Sequence, residues 1–388
     1  MVLNQLLKII ISCCSKYAQD TERKYDAYLV GYYGMQNSGD DALMLASVMG
    51  AKNELNAEKL IVSASNSSLF LGKNVSINLL RSKQKFYGQN RLSHYKAAYN
   101  SKCVIFGGGS VFHTAQDIEI KRHMMMLTGC YKNMAVGVSL GPFVDEAAKQ
   151  QCKLFLDECW FVGVRDKESL DIARQLAPNA NVRLTFDLAP IVTLSPSFQS
   201  SYSTEQGVLI NVCPVPKTAL GEVDESEQKA LLSKMTEVIK RVWQHTKEPI
   251  TLISLNGHPQ LGDEALCRKL IAQCPDYIEL NYLPYSSSPL KMIEQIMKFK
   301  VFLSMRLHGC VFGYLANTPV VALNYHNKCL QWCEQVGIAH NQRYDAASFN
   351  SNEVANTLIK GIQCGFSSPV LAVNDAVKLS LLNWRIQS

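Results

Sequence analysis

Short apolar runs alternate along the chain with longer mixed stretches, and a glycine-rich or polar turn follows most of the runs. In the first half, strands are predicted at residues 25–30, 59–64, 103–106, 135–140 and 160–164. Helices are predicted from about Asp41 to Met49 and from just after Asp166 through Ala173. Repetition of strand, loop and helix is typical of a parallel sheet with helices on both faces.

A second series of the same kind starts after a Ser-rich polar stretch at residues 195–206, which is interpreted as a linker. Its predicted strands are residues 208–212, 250–255, 301–305 and 320–323. The pattern predicts an α/β protein with two Rossmann-like domains facing a cleft. The predicted divisions are a helical extension at 1–24, domains at 25–195 and 207–365, and a C-terminal segment at 366–388. That last segment is expected to be helical at 374–386 and to cross back to the first domain.

Composition narrows the class of function. The chain has 388 residues, enough for two domains of ordinary size, and 47% of them are hydrophobic. The net charge of +6 is spread along the chain, without the basic stripe that a nucleic-acid-binding protein would carry. An anionic substrate or an anionic membrane surface is compatible with this charge, and nucleic acid is not an expected partner.

Cysteine usage and the N-terminus bear on location. The 13 cysteines are scattered without metal-ligand spacing, which favours reduced thiols in a cytoplasmic protein, with no metal site. No run reaches about 18 uninterrupted apolar residues, so no membrane-spanning helix is predicted. The apolar residues 2–12 include Lys8 and lack a cleavage site. A helix packed on the protein is favoured there, and an interfacial membrane helix is the alternative.

The turn containing Arg306 and His308 is the strongest candidate for chemistry. It lies where the apolar run 301–303 ends and a helix is predicted at 309–316. Ligands bind at the carboxyl ends of strands in open α/β sheets. Arginine offers a planar fork of donors for carboxylate or phosphate, and histidine can transfer a proton near neutral pH. The pair therefore indicates a site for an anionic substrate.

Other strand exits carry weaker signals. Glycines follow the strands at Gly31–Gly34 and Gly107–Gly109, in neither case as a dinucleotide or Walker A motif, so tight turns and ligand loops are both open readings. Asp40 and Asp41 open a predicted helix, and capping explains one of them. Arg165 either pairs with an acid such as Asp166 or Asp187 or faces the cleft.

The chain resembles the polysaccharide pyruvyltransferase family from Tyr25 to about Gly337. The resemblance rests on five blocks of residues: Gly31-Tyr32-Tyr33-Gly34 with Asn37 to Ala42, Phe106 to Ser110, Val164-Arg165-Asp166, Asp187 to Pro190, and Arg306-Leu307-His308 with the residues that follow it through Lys328. The family often has an acid soon after the glycine triplet, whereas here His113 and Thr114 follow Phe112, and Asp117 is the nearest acid.

The resemblance implies a two-domain fold similar to the GT-B glycosyltransferases. It also implies transfer of pyruvate from phosphoenolpyruvate to two hydroxyls of a sugar, with a cyclic ketal formed and phosphate released. Arg165 and Arg306 would hold the anions of the donor, and His308 would protonate its methylene carbon. Asp40, Asp41 or Asp117 would accept the proton of a sugar hydroxyl.

The resemblance therefore implies two groups of site residues. The catalytic group is His308, Arg306, Asp40 and Asp41. The substrate-binding group is Arg165, Gly34, Asn37, Gly108, Gly109, Ser110, His113, Asp117, Tyr325 and Lys328. Phosphoenolpyruvate is a donor substrate in this scheme, and no cofactor or metal is expected.

The expected acceptor is a sugar of an exopolysaccharide or its precursor, such as a lipid-linked oligosaccharide at the inner face of the plasma membrane. The expected location is therefore cytoplasmic, with peripheral membrane contact. Two alternatives have the same fold: a nucleotide-sugar glycosyltransferase and a non-catalytic glycan-binding protein. The first calls for a carboxylate that binds a ribose, and residues 323–328 contain no acid.

Overall fold

The computed structural model describes residues 22–66, 73–128, 132–199, 206–215 and 224–386. The predicted N-terminal extension lies almost wholly outside these residues, as does half of the predicted linker. The chain divides into two compact units. The first comprises residues up to Met35, Ala42–Val192 and residues from Val377 onward, and the second comprises Gln36–Asp41 and Thr193–Ala376.

The first unit is built on a seven-stranded parallel sheet in the order β3-β2-β1-β4-β5-β6-β7. The strands are β1 Tyr25–Val30, β2 Leu60–Ala64, β3 Val75–Leu79, β4 Ser101–Phe112, β5 Met134–Leu140, β6 Phe161–Val164 and β7 Val182–Leu184. The helices are α1 Ser38–Glu54, α2 Gln89–Tyr99, α3 Ala115–Thr128, α4 Glu146–Glu158 and α5 Lys167–Leu176, followed by a 3₁₀ helix at Ala189–Leu194. The first turn of α1 is part of the second unit.

The second unit has a six-stranded parallel sheet in the order β10-β9-β8-β11-β12-β13. Its strands are β8 Val208–Asn211, β9 Ile250–Ile253, β10 Leu280–Leu283, β11 Val301–Ser304, β12 Val320–Asn324 and β13 Arg343–Asp345. Its helices are α6 Glu225–Thr246, α7 Glu264–Gln273, α8 Pro289–Ile296, α9 Leu307–Leu315, α10 Asn327–Val336 and α11 Ser351–Cys364, with a 3₁₀ helix at His340–Gln342. The last helix, α12, spans Val373–Leu381.

Both sheets have the Rossmann strand order, so the predicted fold class is confirmed. The central strands are mostly buried and supply the two hydrophobic cores. In each sheet the order reverses at one point, between β1 and β4 in the first and between β8 and β11 in the second. Crevices form outside the carboxyl ends of strands at such points, which fixes where a ligand site is expected in each unit.

The C-terminal residues are held by a buried amide. Asn383 accepts hydrogen bonds from the Gly137 amide at 2.7 Å and from the Thr185 hydroxyl at 2.8 Å, and it donates to the Phe186 carbonyl at 3.0 Å. Its side chain is fully buried. These contacts attach the C-terminus to the sheet of the first unit.

Candidate active site

Arg306 lies at the reversal point of the second sheet, two residues after β11 ends. Ser304 of β11 pairs with Asn211, the last residue of β8, and the Arg306 amide donates to the Asn211 side-chain carbonyl at 3.3 Å. Arg306 is also the residue that precedes the first turn of α9. The predicted position of Arg306, at a strand exit and a helix start, is therefore confirmed.

Asp263 holds the guanidinium of Arg306. Nε of Arg306 donates to Oδ1 of Asp263 at 2.8 Å, and Nη2 donates to the same oxygen at 2.5 Å. The Asp263 side chain is fully buried, whereas that of Arg306 is 15% exposed. Burial alone would lower the pKa of Arg306, but the charge of Asp263 raises it above its ordinary value. Nη1 of Arg306 forms no hydrogen bond with any residue that the structure describes, so the cation retains donors for a ligand anion.

Asp263 also organises the loop after β9. Its Oδ2 accepts from the amides of Leu255 at 2.9 Å and Asn256 at 3.1 Å, and from the side-chain amide of Asn211 at 3.0 Å. A single buried carboxylate thus joins the exits of β8, β9 and β11. Because buried carboxylates are costly unless fully bonded, this network fixes the loop as well as the arginine.

The segment Gln36–Asp41 is bound to that loop. The Ser38 amide donates to the Leu255 carbonyl at 2.9 Å, and the Gly257 amide donates to the Gln36 carbonyl at 2.8 Å. Asn37 and Asn256 form an antiparallel bridge between these two hydrogen bonds. The segment therefore adds a short strand-like contact to the second unit, immediately before α1 begins at Ser38.

His308 packs against this segment at Gly39. A Cβ atom on Gly39 would lie 2.1 Å from Nδ1 and 2.3 Å from Cγ of His308, far inside van der Waals contact. Only glycine allows the imidazole to approach so closely. The Asn37 side chain accepts from the Gly39 amide at 3.1 Å. Two of the predicted motifs, Asn37–Asp41 and Arg306–His308, therefore meet within the second unit.

The two predicted acids differ in exposure. Asp41 is fully buried and accepts a hydrogen bond from the Tyr285 hydroxyl at 2.6 Å, whereas Asp40 is partly exposed. Both belong to the first turn of α1. α1 begins at Ser38, three residues earlier than predicted, because the Asn37 carbonyl already accepts the Asp41 amide at 2.9 Å.

In the first unit, Arg165 follows β6 and is paired with an acid, one of the two alternatives open from the sequence. Nη1 donates to Asp187 at 2.8 Å, and Nε donates to the Ser139 hydroxyl at 2.8 Å. Asp166 caps α5 and accepts from Ser139 at 2.6 Å. Joint action of Arg165 and Arg306 on one donor molecule stays a prediction.

The glycine loops have left-handed backbone where turns require it. Gly34, Gly108 and Gly109 have φ values of 72°, 67° and 83°. Leu43 packs on Gly108, where a Cβ atom would be only 2.9 Å from the leucine side chain. The Gly34 carbonyl accepts the Ser65 hydroxyl at 2.6 Å. These observations explain the glycines structurally, and a role in substrate binding stays a prediction.

Of the remaining predicted residues, some belong to the first unit and some to the second. His113 places its ring nitrogens 3.0 and 3.1 Å from the carbonyl oxygens of Ser110 and Pro142. Asp117 forms an ion pair with the buried Lys121. Tyr325 lines a cavity of about 230 Å³ beside β12 and α6, whose lining includes neither Arg306 nor His308. Lys328 is partly exposed in the first turn of α10.

Three residues that the structure places at the site were not identified from the sequence: Asp263, Tyr285 and Asn211. Asp263 precedes a helix and has the sequence signal of an ordinary cap. Nothing in the sequence connects it to Arg306, 43 positions later. Tyr285 follows an edge strand that the hydrophobic pattern does not reveal, and Asn211 is a single polar residue at the end of an apolar run.

The described residues contain no cluster of metal ligands and no membrane-spanning helix. No group of three or more His, Cys, Asp or Glu side chains there could hold a metal ion. Within the same part of the chain, no helix combines the length and apolar character needed to cross a membrane.

Comparison with known proteins gives a family and a fold. The family model for polysaccharide pyruvyl transferase matches residues 37–327. The solved UDP-GlcNAc 2-epimerase of Methanocaldococcus jannaschii is 10% identical, with 92% of this chain and 98% of that chain covered and a TM-score of 0.60. The Neisseria meningitidis UDP-GlcNAc 2-epimerase is 12% identical, covering 92% and 99%, with a TM-score of 0.55. Anabaena HepE, solved with UDP-glucose, is 10% identical, covering 93% and 95%, with a TM-score of 0.55. At these identities the likeness shows a shared two-Rossmann, GT-B-like fold.

Proposed function

Because the chain belongs to the polysaccharide pyruvyl transferase family, we propose that it transfers pyruvate from phosphoenolpyruvate to two hydroxyls of a sugar. The product is a cyclic ketal and phosphate is released. The acceptor is a sugar of a surface glycan or of its precursor. The observation that carries the proposal is the contact of His308 with Gly39, which brings two family motifs together in one unit.

Donor binding is assigned to Arg306 and to the N-termini of α1 and α9. Phosphoenolpyruvate carries a phosphate and a carboxylate, and charge-assisted bonds to arginine suit both. Asp263 orients the guanidinium of Arg306 through Nε and Nη2, which leaves Nη1 for the donor. The first turns of α1 and α9 meet at Gly39 and His308, and helix N-termini favour negative charge.

Proton transfer is assigned to His308 and to the acids of α1. The methylene carbon of the donor must gain a proton as the adjacent carbon becomes electrophilic, and His308 is the proposed acid. A hydroxyl of the sugar must lose a proton as its oxygen attacks, and the first turn of α1 supplies the carboxylates of Asp40 and Asp41. Both groups lie next to Gly39, so the two proton transfers are assigned to one place.

The test is phosphate release from phosphoenolpyruvate across a panel of glycosides, with the ketal identified by NMR. His308→Asn should lose turnover by about 100-fold or more while it binds phosphoenolpyruvate with unchanged affinity. His245→Asn is the matched control, because His245 is exposed on α6 and its one hydrogen bond to a described residue is with the Arg241 carbonyl of its own helix. Weaker donor binding by His308→Asn with unchanged turnover would make His308 a binding group.

The same panel separates the alternatives. A nucleotide-sugar glycosyltransferase would release UDP or another nucleoside diphosphate and ignore phosphoenolpyruvate. A glycan-binding protein would bind a glycoside without consuming either donor. Either result, with no phosphate released by the folded wild-type protein, would overturn the proposed function.

A further inference from the structure

Asp41, two residues after the glycine that His308 contacts, forms a hydrogen bond with Tyr285. The tyrosine hydroxyl lies 2.6 Å from Oδ2 of Asp41, a short distance typical of a bond to a carboxylate. Asp41 has no exposed surface, whereas Tyr285 is half-buried. Of the two, only the tyrosine reaches the surface where a sugar could bind. A buried carboxylate cannot touch a sugar hydroxyl directly, so a group between them is needed.

The position of Tyr285 is fixed by the loop that also holds the first turn of α1. The tyrosine ring lies against Gly257, where a Cβ atom would be 2.7 Å from its Cδ1. The amide of Gly257 donates to the Gln36 carbonyl at 2.8 Å. One loop therefore sets both the aromatic ring and the segment that carries Asp41. The pairing is built into the fold of the second unit and does not depend on a flexible side chain finding its partner.

The electrostatic surroundings keep the phenol protonated. Burial raises the pKa of Tyr285, and the hydrogen bond to Asp41 with the charges of Asp41 and Asp40 raises it further. A protonated phenol can donate to Asp41 and accept from a third group at the same time. The charged groups that act on the phenol are Asp41, its hydrogen-bond partner, and Asp40, both in the first turn of α1.

We propose that Tyr285 is a catalytic residue that relays the proton of the attacking sugar hydroxyl to Asp41. This inference rests on the proposed function and adds a residue to it. Tyr285 replaces Asp40 and Asp41 as the group that touches the acceptor, and Asp41 becomes the final proton acceptor. Asp40, which is partly exposed, has no part in the relay.

The first addition takes one proton from the sugar and gives one proton to the donor. The sugar oxygen forms a bond to the carbon that bears the phosphate ester, and its proton moves to the phenol oxygen of Tyr285. The phenol proton moves to Oδ2 of Asp41, so the tyrosine is unchanged and the aspartate is neutral. The electron pair of the donor double bond takes a proton from His308 at the methylene carbon. Phosphate leaves when the second hydroxyl attacks. The proton of that hydroxyl passes to His308, and the proton held by Asp41 returns through Tyr285 to the departing phosphate, so both residues regain their starting states.

Tyr285→Phe is the direct test, because it removes the hydroxyl and keeps the ring against Gly257. The turnover number should fall by about 100-fold or more, with unchanged affinity for phosphoenolpyruvate by calorimetry. Tyr277→Phe is the matched control and should keep full activity, because Tyr277 is exposed and its ring packs at a tilt against Trp243. The acidic limb of the residual pH–rate profile should move to higher pH, because a lost hydrogen bond to the carboxylate raises the pKa of Asp41.

A double variant tests whether the pair acts as one unit. Tyr285→Phe with Asp41→Asn should be about as slow as the slower single variant, since groups in one relay are not additive. Fully multiplicative losses, or an active Tyr285→Phe with an unshifted pH profile, would overturn the relay and leave the proposed function standing. Weaker donor binding with unchanged turnover would also overturn it. If folded wild-type protein releases no phosphate with any glycoside, both proposals fail together.

Discussion

Replacing Asp263 by asparagine should destabilise the second unit strongly. The wild-type carboxylate is fully buried and accepts from Arg306, from two loop amides and from Asn211. Asparagine has nearly the same shape, but it removes the counter-charge of Arg306. It also turns one acceptor oxygen into an NH₂ group that faces other donors. The substitution therefore isolates the charge and the hydrogen bonds from any change in packing.

The expected loss is about 3 kcal/mol of unfolding free energy. Removal of one partner from a buried ion pair typically costs about 3–5 kcal/mol, because the other charge is left uncompensated. Arg306 is 15% exposed, so water relieves part of that cost and favours the lower end. Glu264→Gln is the matched control. It breaks the Glu264–Arg268 pair, whose side chains are 58% and 62% exposed, and should cost less than about 0.5 kcal/mol.

Urea unfolding followed by tryptophan fluorescence measures both variants. Trp243 and Trp332 belong to the second unit, whereas Trp160 and Trp384 belong to the first. Phenylalanine at the latter two positions, introduced in the wild type and both variants, restricts the signal to the second unit and avoids fitting two units as one transition. Equal midpoints for Asp263→Asn and Glu264→Gln, with equal slopes, would refute the argument that this pair stabilises the unit.

Three further results are expected. Gly39→Ala should gain at most about 1 kcal/mol of helix propensity yet reduce phosphate release by about 100-fold, because the imidazole of His308 must move by about 1 Å or more. Asn53→Ala on the same helix is the control. Undiminished activity of Gly39→Ala would show that His308 does not need this position. Arg306→Lys should lower activity strongly in a folded protein, since lysine cannot bind Asp263 and a donor anion through a rigid fork; unchanged steady-state kinetics would remove Arg306 from the site. Burial, with the nearby charge of Lys121, lowers the pKa of His94 to about 4. As the pH falls, the unfolded state therefore binds a proton at this histidine before the folded state does, and the unfolding free energy should fall by up to about 1.4 kcal/mol per pH unit from pH 6.5 down to pH 4. The urea midpoint should depend less on pH across that range in His94→Gln, and an unchanged dependence would exclude this histidine.

The interior of both sheets is predictable from the sequence, and the edges are not. The inner strands contain short apolar runs because helices cover both of their faces. Four strands escape detection, each at an edge of its sheet: Val75–Leu79, Val182–Leu184, Leu280–Leu283 and Arg343–Asp345. Their side chains are only partly buried, so hydrophobic pattern alone cannot distinguish them from loops.

Part of the candidate site is likewise predictable from the sequence, and part is not. The strand exits that carry Arg165, Arg306 and His308 are evident, since polar side chains after apolar runs are conspicuous. The partners of the two arginines differ in predictability. Asp187 is one of the two acids that the sequence offers as a partner for Arg165. Asp263 follows a different strand from Arg306, so their pairing depends on the order of strands in the sheet. Contacts of this kind follow from topology, which a single sequence does not display.

The membership of residues 36–41 in the second unit has a consequence for fragment design. A polypeptide limited to residues 193–376 would contain every strand of the second sheet but not the six residues that cover its β9 loop. The Leu255 carbonyl and the Gly257 amide would lose their partners, and the imidazole of His308 would lose the glycine on which it rests. Such a fragment should be assembled with a peptide containing residues 36–41, supplied separately or joined by circular permutation. The second unit is therefore discontinuous in sequence, and no single continuous fragment of the chain contains just the residues that form it.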